Sequence, residues 1–506
     1  MVGASTKRVP GPSASGNGDD RVAILIAAVG ALIGLAAFVP IVDGYFASDD
    51  WLLLYYYGRV PVWDLSRHFS TDVIWFFRPF QALQFSALFH LFRFDPVPYN
   101  LALFLGHGVV CILLFELTRA VSRDCRLAAV SVWLFSFHWA WVDILLWKSN
   151  TNTLQWAAFS LLACLGLARD LRSPSRLWRW VTWLAAGAAC LSKEMAVNMP
   201  FLFGAVWCGV RVPEVRREQI KEHLREAART VAPAIGLSVA YGIFHLGVVR
   251  DVYDVVPKDY SLSPAAEWPA HLGKVFQHLF FPFGDIPAVQ GIPGAGFALS
   301  LLQALPIVLC LVAVRTRSPL LVMGTLWICA SVLPALLLRS FHVSRFYYVP
   351  AMGAAWVLSA AWESIRRIAA TSGRERWLGA AGAAGLVLWC VANEVVRQSV
   401  VAAERDGSDT ARAAFGALSA ARASLPVEPL IVLTNAPPGF FASGIGIREM
   451  VRLALGNDGA EGVLQGQAVP EARLADLRSI PDVFVLNLAD RPPSLRRVPA
   501  PPGARN

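Results

Sequence analysis

The run Val22 to Val42, VAILIAAVGALIGLAAFVPIV, is followed at once by Asp43 and then by Ser48-Asp49-Asp50-Trp51. As a helix a run of this length rises about 32 Å, enough to cross the roughly 30 Å hydrocarbon core of a bilayer. The acid pair that follows therefore sits at a membrane surface. Lys7, Arg8 and Arg21 precede the run, as in a signal peptide. It is longer than a typical signal core, however, and no small-residue cleavage site follows, so it reads as an uncleaved first span. The Gly-, Ser- and Pro-rich residues 1–20 before it read as disordered.

The rest of the chain has the same character. Of 506 residues, 56% are hydrophobic and only 16% charged, where a soluble protein carries about a quarter. Mean hydropathy is +0.49. Apolar segments fall at 22–42, 99–118, 127–142, 151–168, 178–191, 195–210, 231–249, 297–314, 319–338, 346–363 and 377–396. The expected fold is an all-α polytopic membrane protein of about 11 transmembrane helices. Pro79 to Phe92 and Leu272 to Phe283 are apolar but short, and read as interfacial or re-entrant helices in outer loops 43–98 and 250–296.

Charge sets the orientation. With the N-terminus inside, residues 7–21 and the loops within 119–126, 169–179, 211–229, 315–317 and 366–376 hold 22 Lys and Arg. The opposite short loops hold four: Lys148, Lys193, Arg339 and Arg345. This is the positive-inside pattern. It also accounts for the net charge of +9 without nucleic acid, for which no basic stripe with interleaved aromatics exists. The eight cysteines lie in or beside apolar segments and form neither a zinc pattern nor a disulfide framework.

Residues 397–506 read differently. An Ala-rich helix over Arg397 to Ser424 precedes strands at Leu430 to Thr434 and Val483 to Leu486, with a helix near Arg448 to Leu455 between them. A small extracytoplasmic α/β cap is expected. Its Gly444-Ile445-Gly446 lacks the third glycine of a nucleotide fingerprint.

This topology brings Asp49-Asp50, Arg78, His138 with Asp143, Lys193-Glu194 and His342 with Arg345 to the outer membrane face. Each has a plain structural role open to it. Asp50 suits a helix N-cap, Arg78-Pro79 a helix start, His138 and Asp143 a satisfied polar pair, and Lys193-Glu194 a tight turn. Charges near a bilayer are costly, though, and commonly line a functional cavity. A carboxylate to deprotonate a hydroxyl, ringed by cations to clamp a phosphate, is the equipment for sugar transfer from a lipid-linked phosphosugar. Arg78, Lys193 and Arg345 are the strong cations expected beside the acid pair. Asp49, Asp50 and Glu194 are oxygen donors of the kind that bind a divalent cation, but their spacing establishes no metal.

Several motifs occur together in one order. Asp49-Asp50-Trp51, Phe77-Arg78-Pro79-Phe80 and Tyr99-Asn100-Leu101 running to His107 resemble the N-terminal half of bacterial GT-C glycosyltransferases. Phe135-Ser136-Phe137-His138 with Asp143 and Trp147 is similar to that family's His-Pro…Glu…Trp segment. Leu191-Ser192-Lys193-Glu194 with Pro200 resembles its Ser-Lys-Glu motif, and Arg345-Phe346-Tyr347-Tyr348-Val349-Pro350 its Arg-Tyr-x-Tyr-x-Pro motif. The resemblance spans residues 22–396 and extends to protein O-mannosyltransferases, including the TPR-bearing kind, and lipid A aminoarabinose transferases. Trp139 replaces the usual Pro, Asp143 stands for Glu, and no TPR array follows.

The resemblance implies a polyprenyl-phosphate sugar donor, an inverting transfer and an acidic catalytic residue in the first outer loop, with Asp49 favoured over Asp50. It leaves His107, His138, Asp143, Glu194, His342 and Tyr348 in supporting roles. The acceptor (protein, lipid or glycan) is not specified. Two other readings compete: a transporter or flippase of a lipid-linked glycan, which predicts mid-span charges and internal repeats, and an inactive GT-C-like scaffold.

Overall fold

Apolar runs become helices here, and each starts or stops where a side chain can satisfy the exposed backbone. The structure, a computed structural model, describes residues 17–70, 77–214, 219–249, 263–281, 305–336, 344–371, 375–436, 446–464 and 483–498. Helix α1 (Asn17–Ala36) carries most of the first run. The outer stretch that follows holds α2 (Asp49–Tyr57), α3 (Leu65–His68) and α4 (Pro79–Phe92). Helix α5 (Pro96–Ser122) begins at Asp95, whose carboxylate accepts from Val97 N at 3.0 Å, with Pro96 in its first turn. Asp124 caps α6 (Cys125–Phe137) in the same way, accepting from Arg126 N at 2.8 Å.

The chain continues through α7 (Val142–Leu146), α8 (Thr151–Arg172), α9 (Arg176–Cys190), α10 (Met199–Arg211), α11 (Ile220–Val249) and α12 (Trp268–Phe280). Then come α13 (Leu305–Thr316), α14 (Pro319–Leu336), α15 (Tyr348–Thr371) and α16 (Glu375–Ala421). Helix α1 packs on α6, α5 on α6 and α8, α8 on α9, α10 on α14, and α14 on α15.

Among the described residues five helices are long and apolar enough to cross a membrane, within 96–122, 148–172, 220–247, 319–336 and 379–424. A sixth is the pair 125–137 and 139–146, bent by 61° at His138. This is a mostly helical, multi-pass membrane protein. Each of the eleven expected segments overlaps a described helix, but α9 and α10 rise only about 20 Å each. Helix α4, at 14 residues, is likewise too short to cross alone.

Two buried indoles find partners between the helices, and backbones approach closely, although the Nε1 atoms of Trp51, Trp141, Trp156 and Trp207 are buried without a hydrogen bond among the described residues. Trp356 Nε1 donates to Thr118 Oγ1 at 2.6 Å and Trp327 Nε1 to Val349 O at 2.9 Å. In a water-poor interior a satisfied donor avoids a desolvation cost. Where α14 crosses α15, a Cβ on Gly324 would lie 2.7 Å from Gly353 O, and one on Gly353 the same distance from Gly324 O. Gly353→Val should therefore force the crossing apart, costing about 1–3 kcal/mol, read as a lowered unfolding temperature in detergent. An unchanged midpoint would show that the crossing yields freely.

The C-terminal unit departs from expectation in two respects. The last span and the Ala-rich helix are one helix, α16, which delivers the chain to β1 (Leu430–Thr434). The sheet has four strands rather than two. With β2 (Glu461–Leu464), β3 (Val483–Asn487) and β4 (Ser494–Arg497), the order is β2-β1-β3-β4, parallel except for β3–β4. Helix α17 (Ile447–Leu455) packs on it. Its core is shared: Trp51 stacks on Phe415 at 5.0 Å, and Ile431, Met450 and Leu486 join Phe46, Leu54 and Phe85. Gly446, at φ +86°, abuts Ser48, and a Cβ there would run into the Ser48 carbonyl oxygen. The loop bearing the acid pair is thus held from behind by the C-terminal unit.

Candidate functional site

The chain reverses sharply at Ser48, whose φ is +42°, and enters α2 at Asp49. Asp50 is completely buried and does not act as the helix N-cap. Its Oδ2 accepts from Ala47 N at 3.1 Å and its Oδ1 from Ser149 N at 2.6 Å. Burial pushes its carboxyl up to about 6, against the pull of Lys148 and the two amides, and the charge of Asp49 adds to the rise. Asp49 is only half-buried, and Ser48 Oγ reaches its Oδ1 at a long 3.4 Å. The two carboxylates therefore have different capacities. Asp50 is committed to backbone amides; Asp49 is open to a ligand.

The cation beside Asp50 is Lys148, which sequence reasoning counted only as an outer-loop charge. The residue is 2% exposed, and its ammonium donates to Gly44 O and Tyr45 O, both at 2.7 Å. Lys148 and Ser149 together pin the acid loop onto the turn before α8. From there a polar chain runs through the protein. Gln81 Nε2 donates to Ser149 O at 2.5 Å, and Asn152 Nδ2 to Gln81 Oε1 at 3.3 Å. Thr153 Oγ1 donates to Asn152 Oδ1 at 3.1 Å and accepts from Lys193 Nζ at 2.6 Å.

Arg78 is the ion-pair partner of Glu194. Its guanidinium forks onto Glu194, Nε to Oε2 at 3.0 Å and Nη2 to Oε1 at 2.7 Å. Burial would raise the Glu194 carboxyl, but Arg78 and then Lys193 hold it well below the usual range. Lys193 is 5% exposed. Burial lowers it to about 7; Glu194 opposes that fall, while Arg78 and Arg345 add to it. Arg345 lies over Trp147, 5.9 Å from the ring centre, and its charge acts on Asp143 as well as on Lys193. Arg78, Lys193, Glu194, Arg345 and Asp143 thus form one charged cluster, tied to Asp50 through residues 148–153.

Of the expected supporting residues, Glu194 and Asp143 belong to that cluster, while His107, Tyr348 and His138 make other contacts. His107 Nδ1 meets Tyr348 Oη at 2.9 Å, and its ring stacks on Trp141 at 4.5 Å, both residues fully buried among the helices. His138 does not pair with Asp143. Its Nε2 meets Leu279 O at 3.0 Å while its Nδ1 accepts from Ala140 N at 3.0 Å, which fixes the ring at the bend before α7. His342 lies outside the described residues.

Among the described residues no group of three or more His, Cys, Asp or Glu side chains is arranged to hold a metal ion. The carboxylates that might have contributed are engaged, Asp50 with two amides and Glu194 with Arg78.

No family model and no curated protein sequence matches the chain. Solved structures do match in fold. The Archaeoglobus fulgidus oligosaccharyltransferase, in its complex with Zn and sulfate, aligns over 91% of this chain and 68% of its own at 12% identity and TM-score 0.54. ArnT from Cupriavidus metallidurans in the apo state aligns over 93% of both chains at 15% identity and TM-score 0.50. The same oligosaccharyltransferase tethered to an acceptor peptide aligns over 86% of this chain at 14% identity and TM-score 0.48, and this chain spans only 63% of its length. The chain is structurally similar to GT-C glycosyltransferases over most of its length.

Proposed function

We propose that this protein transfers a sugar from a polyprenyl-phosphate donor to an acceptor hydroxyl at the outer face of the cytoplasmic membrane. The observation that carries the reading is the division of labour around one polar chain. The half-exposed Asp49 stands beside a buried, fully bonded Asp50, and that chain ends on the buried cation Lys193. Asp49 takes the proton of the acceptor hydroxyl while the hydroxyl oxygen bonds to the anomeric carbon. The bond from that carbon to the phosphate oxygen breaks, and the lipid phosphate leaves with the electron pair. Lys193 and Arg345 stabilise the charge on that phosphate. Asp50 and Lys148 hold the loop, and Arg78 and Glu194 hold each other.

The GT-C fold supports the transferase class. The arrangement of charge supports the orientation. At the end of α5 remote from the acid loop, Arg169 meets Glu116 at 2.7 Å and Arg211 meets Glu226 at 2.8 Å. This arginine-rich end is read as cytoplasmic, with residues 22–396 as the membrane domain and 397–506 as the extracytoplasmic unit. A transporter is less well supported, since Arg78, Lys193 and Glu194 stand at helix starts.

Purified protein given a labelled polyprenyl-phosphate sugar should move label to an acceptor or, slowly, to water. Label that stays on the lipid with every acceptor class overturns the reading. Orientation has its own test, in a cysteine-free background labelled with a membrane-impermeant thiol reagent. Val427→Cys, at a position 79% exposed, should react in intact cells, and Glu222→Cys only after lysis. The reverse pattern would invert the site.

A further inference from the structure

We infer that the C-terminal unit positions the acid helix, and that Asp458 is the residue through which it sets the direction of Asp49. This rests on the transferase reading above, in which Asp49 is the base. Helix α2 packs against both α4 and α17. The C-terminal unit holds it at both ends. At its start, Gly446 is packed against Ser48 and Trp51. At its far end, the Asp458 carboxylate receives a fork from Arg59, Nη1 at 2.9 Å and Nη2 at 2.5 Å, and accepts from Tyr55 Oη at 3.1 Å. Arg59 also lies over the Tyr55 ring, 4.1 Å from its centre.

The turn that carries Asp458 is itself tied down. Asn457 Oδ1 accepts from Gly459 N at 2.9 Å. Arg452 reaches past the turn to Ala460 O at 3.0 Å and to Glu461 Oε1 at 2.7 Å. A fixed turn can transmit the position of the C-terminal unit to whatever it grips.

Stability does not account for the grip. The Arg59 and Asp458 side chains are 45% and 63% exposed, and such surface pairs contribute little. A two-pronged bond to a carboxylate fixes direction instead. Asp50 pins the start of α2 to Ser149 N, but one pin leaves the helix able to turn about it. The apolar contacts beyond, Trp51 on Phe415 among them, are non-directional. Asp49 itself has only the long contact with Ser48 Oγ, so its direction follows that of the helix. Tyr55 and Arg59 are tethers off the helix axis, and they stop the turn. On a helix roughly 10–12 Å across, a roll of about 10° carries a side-chain tip by about 1 Å. A misplacement of that size costs on the order of 10²-fold in rate.

The test follows release of label from a labelled polyprenyl-phosphate hexose to water, or to an acceptor where one is found, by the full-length protein in detergent. Asp458→Ala should lower kcat about tenfold and leave donor KM unmoved. Asp458→Asn, which still accepts from Tyr55, should show a smaller loss of the same kind. Gly446→Ala should lower kcat from the other end of the helix, again at constant donor KM. All these losses should vanish in an Asp49→Asn background, because a residue that acts through Asp49 then has nothing left to align. A merely structural residue would cost the same factor in both backgrounds. That equal loss, or an unchanged kcat in Asp458→Ala, overturns the positioning role and leaves the transferase reading intact. A wild type that releases no label to water or to any acceptor overturns both.

Discussion

Replacing Asp49 by Asn is expected to lower sugar transfer by about 10²–10⁴-fold, the usual contribution of a general base, while leaving expression and donor binding in place. Asn has the shape of Asp but does not take up a proton at neutral pH. The half-buried Asp49 has no amide bonded to its oxygens, so the substitution breaks little. Asp50→Asn should fail differently. Both Asp50 oxygens accept backbone N–H groups, and an amide can match only one of them. The expected loss is about 1–3 kcal/mol of stability, with a smaller fall in turnover as the loop loosens. The pH response separates the two further. The folded Asp50 carboxyl is raised to about 6 from an unfolded value of about 3.9. Its contribution to stability is thus complete below the lower value and is lost as pH rises through about 6. Relative to Asp50→Asn, the wild type should lose stability across that window. Full transfer by Asp49→Asn together with none by Asp50→Asn would exchange the two roles.

What could be read from residues alone follows the range of the interactions. Apolar helices and strands β1 and β3 are local patterns, and the acid pair announces itself by standing just past an apolar run; the cap read at Asp50 is not one. The bonds that build the site are neither local nor specific to residue type. Lys148 binds carbonyls at Gly44 and Tyr45, and Ser149 gives its backbone amide to Asp50, 99 positions away. Any residue supplies a carbonyl or an amide, so no spacing marks these partners. The same holds for His138, whose ligand is the Leu279 carbonyl rather than the neighbouring Asp143. Arg78 was legible as a strong cation at the outer face but not as the partner of Glu194, because a guanidinium suits a phosphate and a carboxylate equally. Strands β2 and β4, four residues each, are too short to show a period.

Removing the ammonium of Lys193 should weaken donor use by roughly tenfold to a hundredfold, the cost of one lost charge-assisted bond to a phosphate. Its environment adds a signature that a purely structural lysine would lack. The group is buried, and Thr153 Oγ1 takes one of its three protons at 2.6 Å. Burial lowers it to about 7, far below an ordinary lysine, and Arg78 and Arg345 add to the fall against Glu194. Above pH 7 the unliganded site therefore loses its charge, and a phosphate must draw a proton back as it binds. Donor KM should rise by up to about tenfold per pH unit above that point, until the raised value of the complex is reached. Stability runs the other way. The unfolded lysine holds its proton up to about pH 10, so the penalty of burying the charge falls as pH rises through 7 and stability increases. Lys193→Met should abolish both slopes and start from the weaker donor affinity. Lys193→Arg should retain charge and flatten the KM profile. A wild-type donor KM that stays level from pH 6 to 9, matched by Lys193→Met, would show that the phosphate rests on other cations.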